Sequence, residues 1–215
     1  MRSKPAFNRQ EMIRRAGGSG CLSLLLLLWT SAVPAAEAPA SVVQINGSPT
    51  LKQGAKSEPL TVGMAVPLDA LIVTDDRSKV KIRLADDSVL EIGAKSQLTL
   101  REFVLAPENR KARLEVLFGR FRLAITPFLS GGSDYEVRTP TAVAGVRGTV
   151  LWGDTDVDAI CALEGHVEVQ PLHSTVPAAQ LATGQCVQQM GKGKALPFTP
   201  NPEDLANFLR QVTLD

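Results

Sequence analysis

The chain has 215 residues, 44% hydrophobic, 21% charged and 5% aromatic, with 23 Lys and Arg against 22 Asp and Glu. That length supports one domain, or two small ones, around a sizeable core. Five of the bases and one of the acids fall in the first 35 residues, so 18 bases and 21 acids remain beyond them. A slightly acidic body argues against a nucleic-acid or anionic-membrane surface, and the few aromatics argue against a stacking platform for bases or sugars.

The N-terminus reads as a targeting segment. Arg2, Lys4, Arg9, Arg14 and Arg15 precede an apolar run from Leu22 to Val33, and Pro34, Ala35 and Ala36 follow. That order predicts a secretory signal peptide over residues 1–36, cut near Ala35 or Ala36, and a periplasmic location. The apolar run, about a dozen residues, is short for a membrane span of roughly 20. The alternative is an uncleaved inner-membrane anchor with Arg14 and Arg15 held in the cytoplasm. Cys21 suggests lipidation, but its apolar run follows the cysteine instead of preceding it. Arg14-Arg15 suggests twin-arginine export, although such pairs are common in basic regions. Export would leave Cys161 and Cys186 in an oxidising compartment, where an even pair favours a disulfide. The alternative is two buried free thiols.

Residues 37–41 read as a linker. Val42 to Ile45 begins a strand closed by Asn46-Gly47, and Leu51 sits in the return strand. Lys52 to Pro59 is polar and reads as a loop. Val66 to Thr74 is apolar and β-branched. Val80, Ile82 and Leu84 then alternate with Lys79, Lys81 and Arg83, the period of a half-buried strand. Ala85 to Ser88 turns the chain into a strand with Leu90 and Ile92, and Leu98 and Leu100 mark another. Ala106 to Asn109 is a turn flanked by Arg110, Lys111 and Arg113, a basic patch read as a solvated hairpin tip. Strands follow on either side of Gly119-Arg120, and Ser130 to Ser133 reads as a flexible connector.

Tyr135 to Leu151 is the most distinctive stretch. Tyr135, Val137 and Thr139 alternate, Pro140 interrupts, and a second β-rich run carries Val146-Arg147-Gly148-Thr149. Asp154, Asp156 and Asp158 have the spacing of oxygen ligands for calcium, but the loop lacks the central Gly and trailing Glu of a calcium hand. Two short strands meet at Glu164-Gly165, and Thr183 to Gln185 leads to Cys186-Val187. Lys192 to Pro202 reads as loose. Leu205, Phe208, Leu209 and Val212 have helical spacing, with Asn201 as N-cap and Pro202 at N1. The whole predicts an all-β fold of many short antiparallel strands, as a sandwich, roll or short solenoid, with a short C-terminal helix. The expected division is a body over residues 37–190 and a linker and amphipathic helix over 191–215.

Thr139-Pro140, Val146 to Thr149, Leu163-Glu164-Gly165 and Thr183-Gly184-Gln185, together with Ile72 to Thr74, Val80 to Ile82, Asp86-Asp87-Ser88 and Leu90, resemble the FecR domain over roughly Ser41 to Gln189. In that family the turn is often Asp-Gly-Ser, and here Asp87 replaces the glycine. The resemblance implies a non-enzymatic periplasmic β module that senses or docks with an envelope protein. Its best-known members report on a TonB-dependent transporter to a sigma factor. They carry a cytoplasmic anti-sigma domain and a membrane span, for which about 20 residues before the leucine run leave no room, so the domain alone is expected here. The alternative is a structural or cell-wall-associated envelope protein.

Two roles suit Arg147. Pointing inward, its charge requires a partner, with Glu164 first and Asp86 second, while Gly148 admits a neighbouring backbone. At an edge, it meets a partner's carboxylate or strand. Nothing favours catalysis, a cofactor or a small-molecule substrate. His166 and His173 lack a ligand cluster at metal spacing, and Ser174 beside His173 lacks a third group.

Overall fold

The computed structural model describes residues 38–127, 131–172 and 175–214, and of Arg147 the backbone only. The basic start, the leucine run and Cys21 lie outside the described residues, as do Ser130, His173 and Ser174. All described residues fall in one unit, Ala36–Asp215.

Among the described residues, fifteen strands form one continuous sheet. The first ten are β1 (Ala40–Asn46), β2 (Thr50–Gln53), β3 (Lys56–Pro59), β4 (Ala65–Val66), β5 (Leu71–Val73), β6 (Lys79–Leu84), β7 (Val89–Ile92), β8 (Gln97–Ala106), β9 (Asn109–Phe118) and β10 (Arg120–Ala124). The second half comprises β11 (Gly132–Arg138), β12 (Ala142–Asp154), β13 (Ala159–Pro171), β14 (Ala179–Leu181) and β15 (Gln185–Gln188). The order runs β3-β2-β5-β8-β9-β11-β12-β10-β7-β6-β1-β4, with β13 on β12 and β14 and β15 on β13.

The alternating residues explain how this sheet closes. Val80, Ile82 and Leu84 are buried while Arg83 is exposed, as a half-buried strand requires. Leu98, Leu114 and Val137 from one run of strands share a single apolar cluster with Ile82, Leu90 and Leu123 from the other. The sheet therefore folds over on itself, with its core between the layers. The chain changes layer at Gly119, whose φ of 89° and tight fit against Ser96 and the Lys95 carbonyl require glycine. Because β10 lies in the opposite layer, β11 returns beside β9 in the same direction. This parallel pair, from Gly132↔Asn109 to Arg138↔Glu115, is the exception among antiparallel ladders.

Two local expectations change. Lys52 to Pro59 is the hairpin of β2 and β3, an edge whose exposed polar residues carry no apolar alternation to reveal it. Leu163 to His166 is not a joint between two strands, since β13 runs unbroken through Glu164-Gly165.

After β15 the chain is tied back. Cys186 and Phe198 exchange backbone hydrogen bonds of 2.8 and 2.9 Å. Asn201 caps α1 (Pro202–Arg210), its side chain accepting from the Asp204 amide at 2.8 Å. Phe208 stacks on Trp152 with centroids 4.6 Å apart, and Val212 is fully buried beside them. Lys79 Nζ donates to the Arg210 and Thr213 carbonyls, and Lys81 Nζ to that of Leu214. Helix and tail thus cover the outer face of β6, β12 and β13. Among the described residues no helix is long and apolar enough to cross a membrane.

Candidate functional site

The Val146-Arg147-Gly148-Thr149 motif marks the place where β12 changes neighbours. Up to Val146 it pairs with β11, and from Val150 with β10. A strand that leaves one layer for the other must bend sharply, and Gly148 supplies the bend with φ of 53°. A side chain added at Gly148 would meet nothing within 4 Å, so the glycine serves conformation and not the close backbone approach expected of it. The close approach occurs opposite. Gly165 has φ of 71°, and a Cβ there would lie 2.6 Å from Thr149 Cγ2. Glu164-Gly165 is therefore the structural companion of the motif, with Val150 opposite Glu164 and Arg147 opposite His166.

The bend brings together residues that a straight hairpin would hold apart. Thr141, just before β12, donates to Asp158 Oδ1 at 2.5 Å, although Asp158 sits at the far turn of the same hairpin. Asp158 Oδ2 accepts from the Gly191 amide at 2.7 Å. Thr139 and Pro140 form the tight β11–β12 turn, in which the Thr139 hydroxyl donates to the Ala142 carbonyl and accepts from its amide. The three acids read as calcium-spaced make protein contacts. Asp154 and Asp156 bind Arg120, at 2.6 and 3.2 Å, and Asp158 holds Thr141. Among the described residues no group of three potential ligands is placed to hold a metal.

Glu164 is exposed, and Asp86 is occupied by Arg110. Arg110, read with Lys111 and Arg113 as a solvated tip, is only 1% exposed. Its Nη1 lies 2.7 Å from Asp86 Oδ2, and its Nη2 donates to the Thr126 carbonyl and to Ser133 Oγ. Tyr135 donates its phenol proton to the same Asp86 oxygen, and Ser88 Oγ donates to it at 2.9 Å. The guanidinium also rests 5.3 Å from the centroid of the Tyr135 ring. This clasp joins the β6–β7 turn to β9 and β11 across the core. Its sequence signal was present but split, an Asp-Asp-Ser turn and a tyrosine 49 residues apart. Asp87, in the glycine position of the turn, has φ of 64°, a conformation that aspartate tolerates better than most residues.

Tyr135 is the chain's one tyrosine, which makes the clasp directly observable. Burial first, and then the adjacent Asp86 carboxylate, push its phenol well above the ordinary range. A raised folded-state pKa contributes stability that is whole below the unfolded value, about 10, and is lost as pH climbs through the folded value. The folded protein should show no phenolate absorbance at about pH 11, whereas the denatured chain titrates near 10. Coincident titration of the two states would refute the buried clasp.

Cys161 and Cys186 stand opposite each other in the β13–β15 ladder and form a disulfide, each 1% exposed. Closing a 25-residue separation should be worth about 3 kcal/mol in the chain-entropy model. Cys186→Ala should lower the stability measured by urea unfolding by that amount, and reductant should then have no further effect.

An open groove of about 530 Å³ lies along the motif, lined in part by Asp134, Gly145, His166, Glu168, Gln170 and Gln180.

No curated protein matches the chain. Two crystal structures of a candidate anti-sigma factor from Parabacteroides distasonis ATCC 8503, at 1.65 and 2.50 Å resolution, have the same fold, with a TM-score of 0.51 and 16% identity in each case. The match covers 65% of this chain and 64% and 63% of theirs, less than two thirds of their length. The family model for FecR protein matches residues 70–169, a segment from the start of β5 through the bent β12–β13 hairpin. Over that segment, rather less than half of the chain, the protein is similar to the FecR domain.

Proposed function

We propose that the chain is an exported protein-binding module of the cell envelope that senses or docks with another envelope protein in a signalling pathway. The observation that carries this reading is the FecR match over residues 70–169. The fold shared with a candidate anti-sigma factor agrees with it. In this reading residues 1–36 are the cleaved leader, residues 37–190 the module, and residues 191–215 its C-terminal cover. The module acts in the periplasm by contact with protein, without a cofactor, a catalytic centre or nucleic acid. Gly148, Thr149 and Gly165 hold the domain together, and contacts with the partner lie elsewhere on its surface.

Crosslinking in intact cells followed by affinity capture of the chain tests the proposal. The expected result is a discrete envelope protein recovered at a fixed ratio. Recovery of murein alone would replace the sensing role with a structural one, and recovery from the cytoplasmic fraction would overturn the location. Arg147→Met should lower the melting temperature and leave capture intact at permissive temperature. An unchanged melting temperature with capture abolished would instead make Arg147 a contact residue.

A further inference from the structure

The outer part of β8 is an uncovered sheet edge. On one side β8 pairs with β9 along its whole length, from Gln97↔Phe118 to Ala106↔Asn109. On the other side β5 reaches only Gln97 to Thr99, and the Leu100 carbonyl accepts from Asp69 as that neighbour departs. Among the described residues, no strand pairs with Arg101 to Ala106 on this side. The free edge is six residues long, about 20 Å.

A bulge at Arg101 marks the start of this edge, and the residues beyond it have the composition of a pairing strand. Natural edges are blunted by central lysines, prolines or bulges. Here the centre reads Phe103-Val104-Leu105, with Val104 40% and Leu105 49% exposed. The charges at its start are neutralised within the chain. Arg101 binds Asp69 and Glu115, and Glu102 binds Lys111 at 3.0 Å. None is left to repel an incoming strand.

Hairpin geometry fixes which backbone groups face outward. Ala106 and Asn109 flank a two-residue turn and so exchange hydrogen bonds with each other. Alternation then turns the amide and carbonyl of Leu105 and of Phe103 away from β9, toward the open side.

The geometry points to a second copy of this chain as the occupant, paired antiparallel with the first about a twofold axis at Val104. That register sets Phe103 against Leu105 in both directions, so outward-facing groups meet outward-facing groups. Val104 faces Val104, and Glu102 faces Ala106. The register one step back along the edge, centred on Phe103, places Arg101 against Leu105 and loses the apolar match. One centred on Glu102 opposes two carboxylates. The Val104 register joins every apolar side chain of the edge without opposing like charges. Antiparallel pairing also sends the two bodies in opposite directions from the shared edge, an isologous contact.

Light scattering of the full chain, purified from cells that export it, tests this inference. The expected mass is twice that of the chain, falling toward one on dilution. Val104→Lys places two ammonium groups on the axis and should give the single-chain mass at every concentration, with an unchanged circular dichroism spectrum. In a Cys21→Ser background, Val104→Cys should form an intermolecular disulfide under mild oxidant, and Leu105→Cys, opposite Phe103, should not. A single-chain mass for the wild-type chain at all concentrations would overturn the inference. So would a dimer that survives Val104→Lys while Val104→Cys fails to crosslink, because that dimer uses another surface.

Discussion

Asp86→Ala should destabilise the protein by about 3–5 kcal/mol, the cost of leaving a buried charge without its partner. Asp86 and Arg110 are 2% and 1% exposed, so neither can recover solvent when the other is removed. The carboxylate also receives the Tyr135 phenol and the Ser88 hydroxyl, and all of these bonds disappear together. Arg110→Met should cost a similar amount. The Asp86→Ala, Arg110→Met pair should cost less than the sum of the single changes, because neither charge then remains in the core. Chemical unfolding of the four proteins measures this coupling. Strict additivity would mean that the two charges are stabilised independently.

Gly165→Val is expected to cost about 4 kcal/mol. Left-handed backbone penalises any L side chain by roughly 1–2 kcal/mol, and overpacking adds about 1–3. The overpacking has a named obstacle, since a Cβ at this position lies 2.6 Å from Thr149 Cγ2. Gly165→Ala should therefore be partly rescued by Thr149→Ser, which removes that methyl and keeps the hydroxyl. Gly148→Ala carries only the backbone penalty, because nothing lies within 4 Å of the added carbon. Its cost should be the smaller of the two. Equal costs at Gly148 and Gly165 in thermal unfolding would contradict the packing described for Thr149.

The strand faces were legible because burial imposes a period on side chains. Val80, Ile82 and Leu84 announced β6, and Asn201-Pro202 announced the start of α1. The favoured pairing of Cys161 with Cys186 was legible too. What escaped were facts fixed by tertiary proximity. Arg110 beside Lys111 and Arg113 has the composition of a solvated tip, and only the return of β11 along β9 seals it in. The β2–β3 hairpin escaped because an exposed edge buries no alternate residue. Glu164-Gly165 resembles a turn in sequence because a left-handed glycine serves equally to reverse a chain and to bend a strand.

The C-terminal cover also imposes an order on maturation. Val212, just past α1, completes the small core over Trp152, Cys161 and Cys186. A chain that emerges N-terminus first presents both thiols, and the indole beside them, before the residues that seal them arrive. Oxidation thus has a window between the pairing of β13 with β15 and the docking of α1. Once the helix settles, the bond lies beneath it. A chain cut short before Phe208 would lack that seal, and its disulfide would stay open to reductant for as long as the protein lasts.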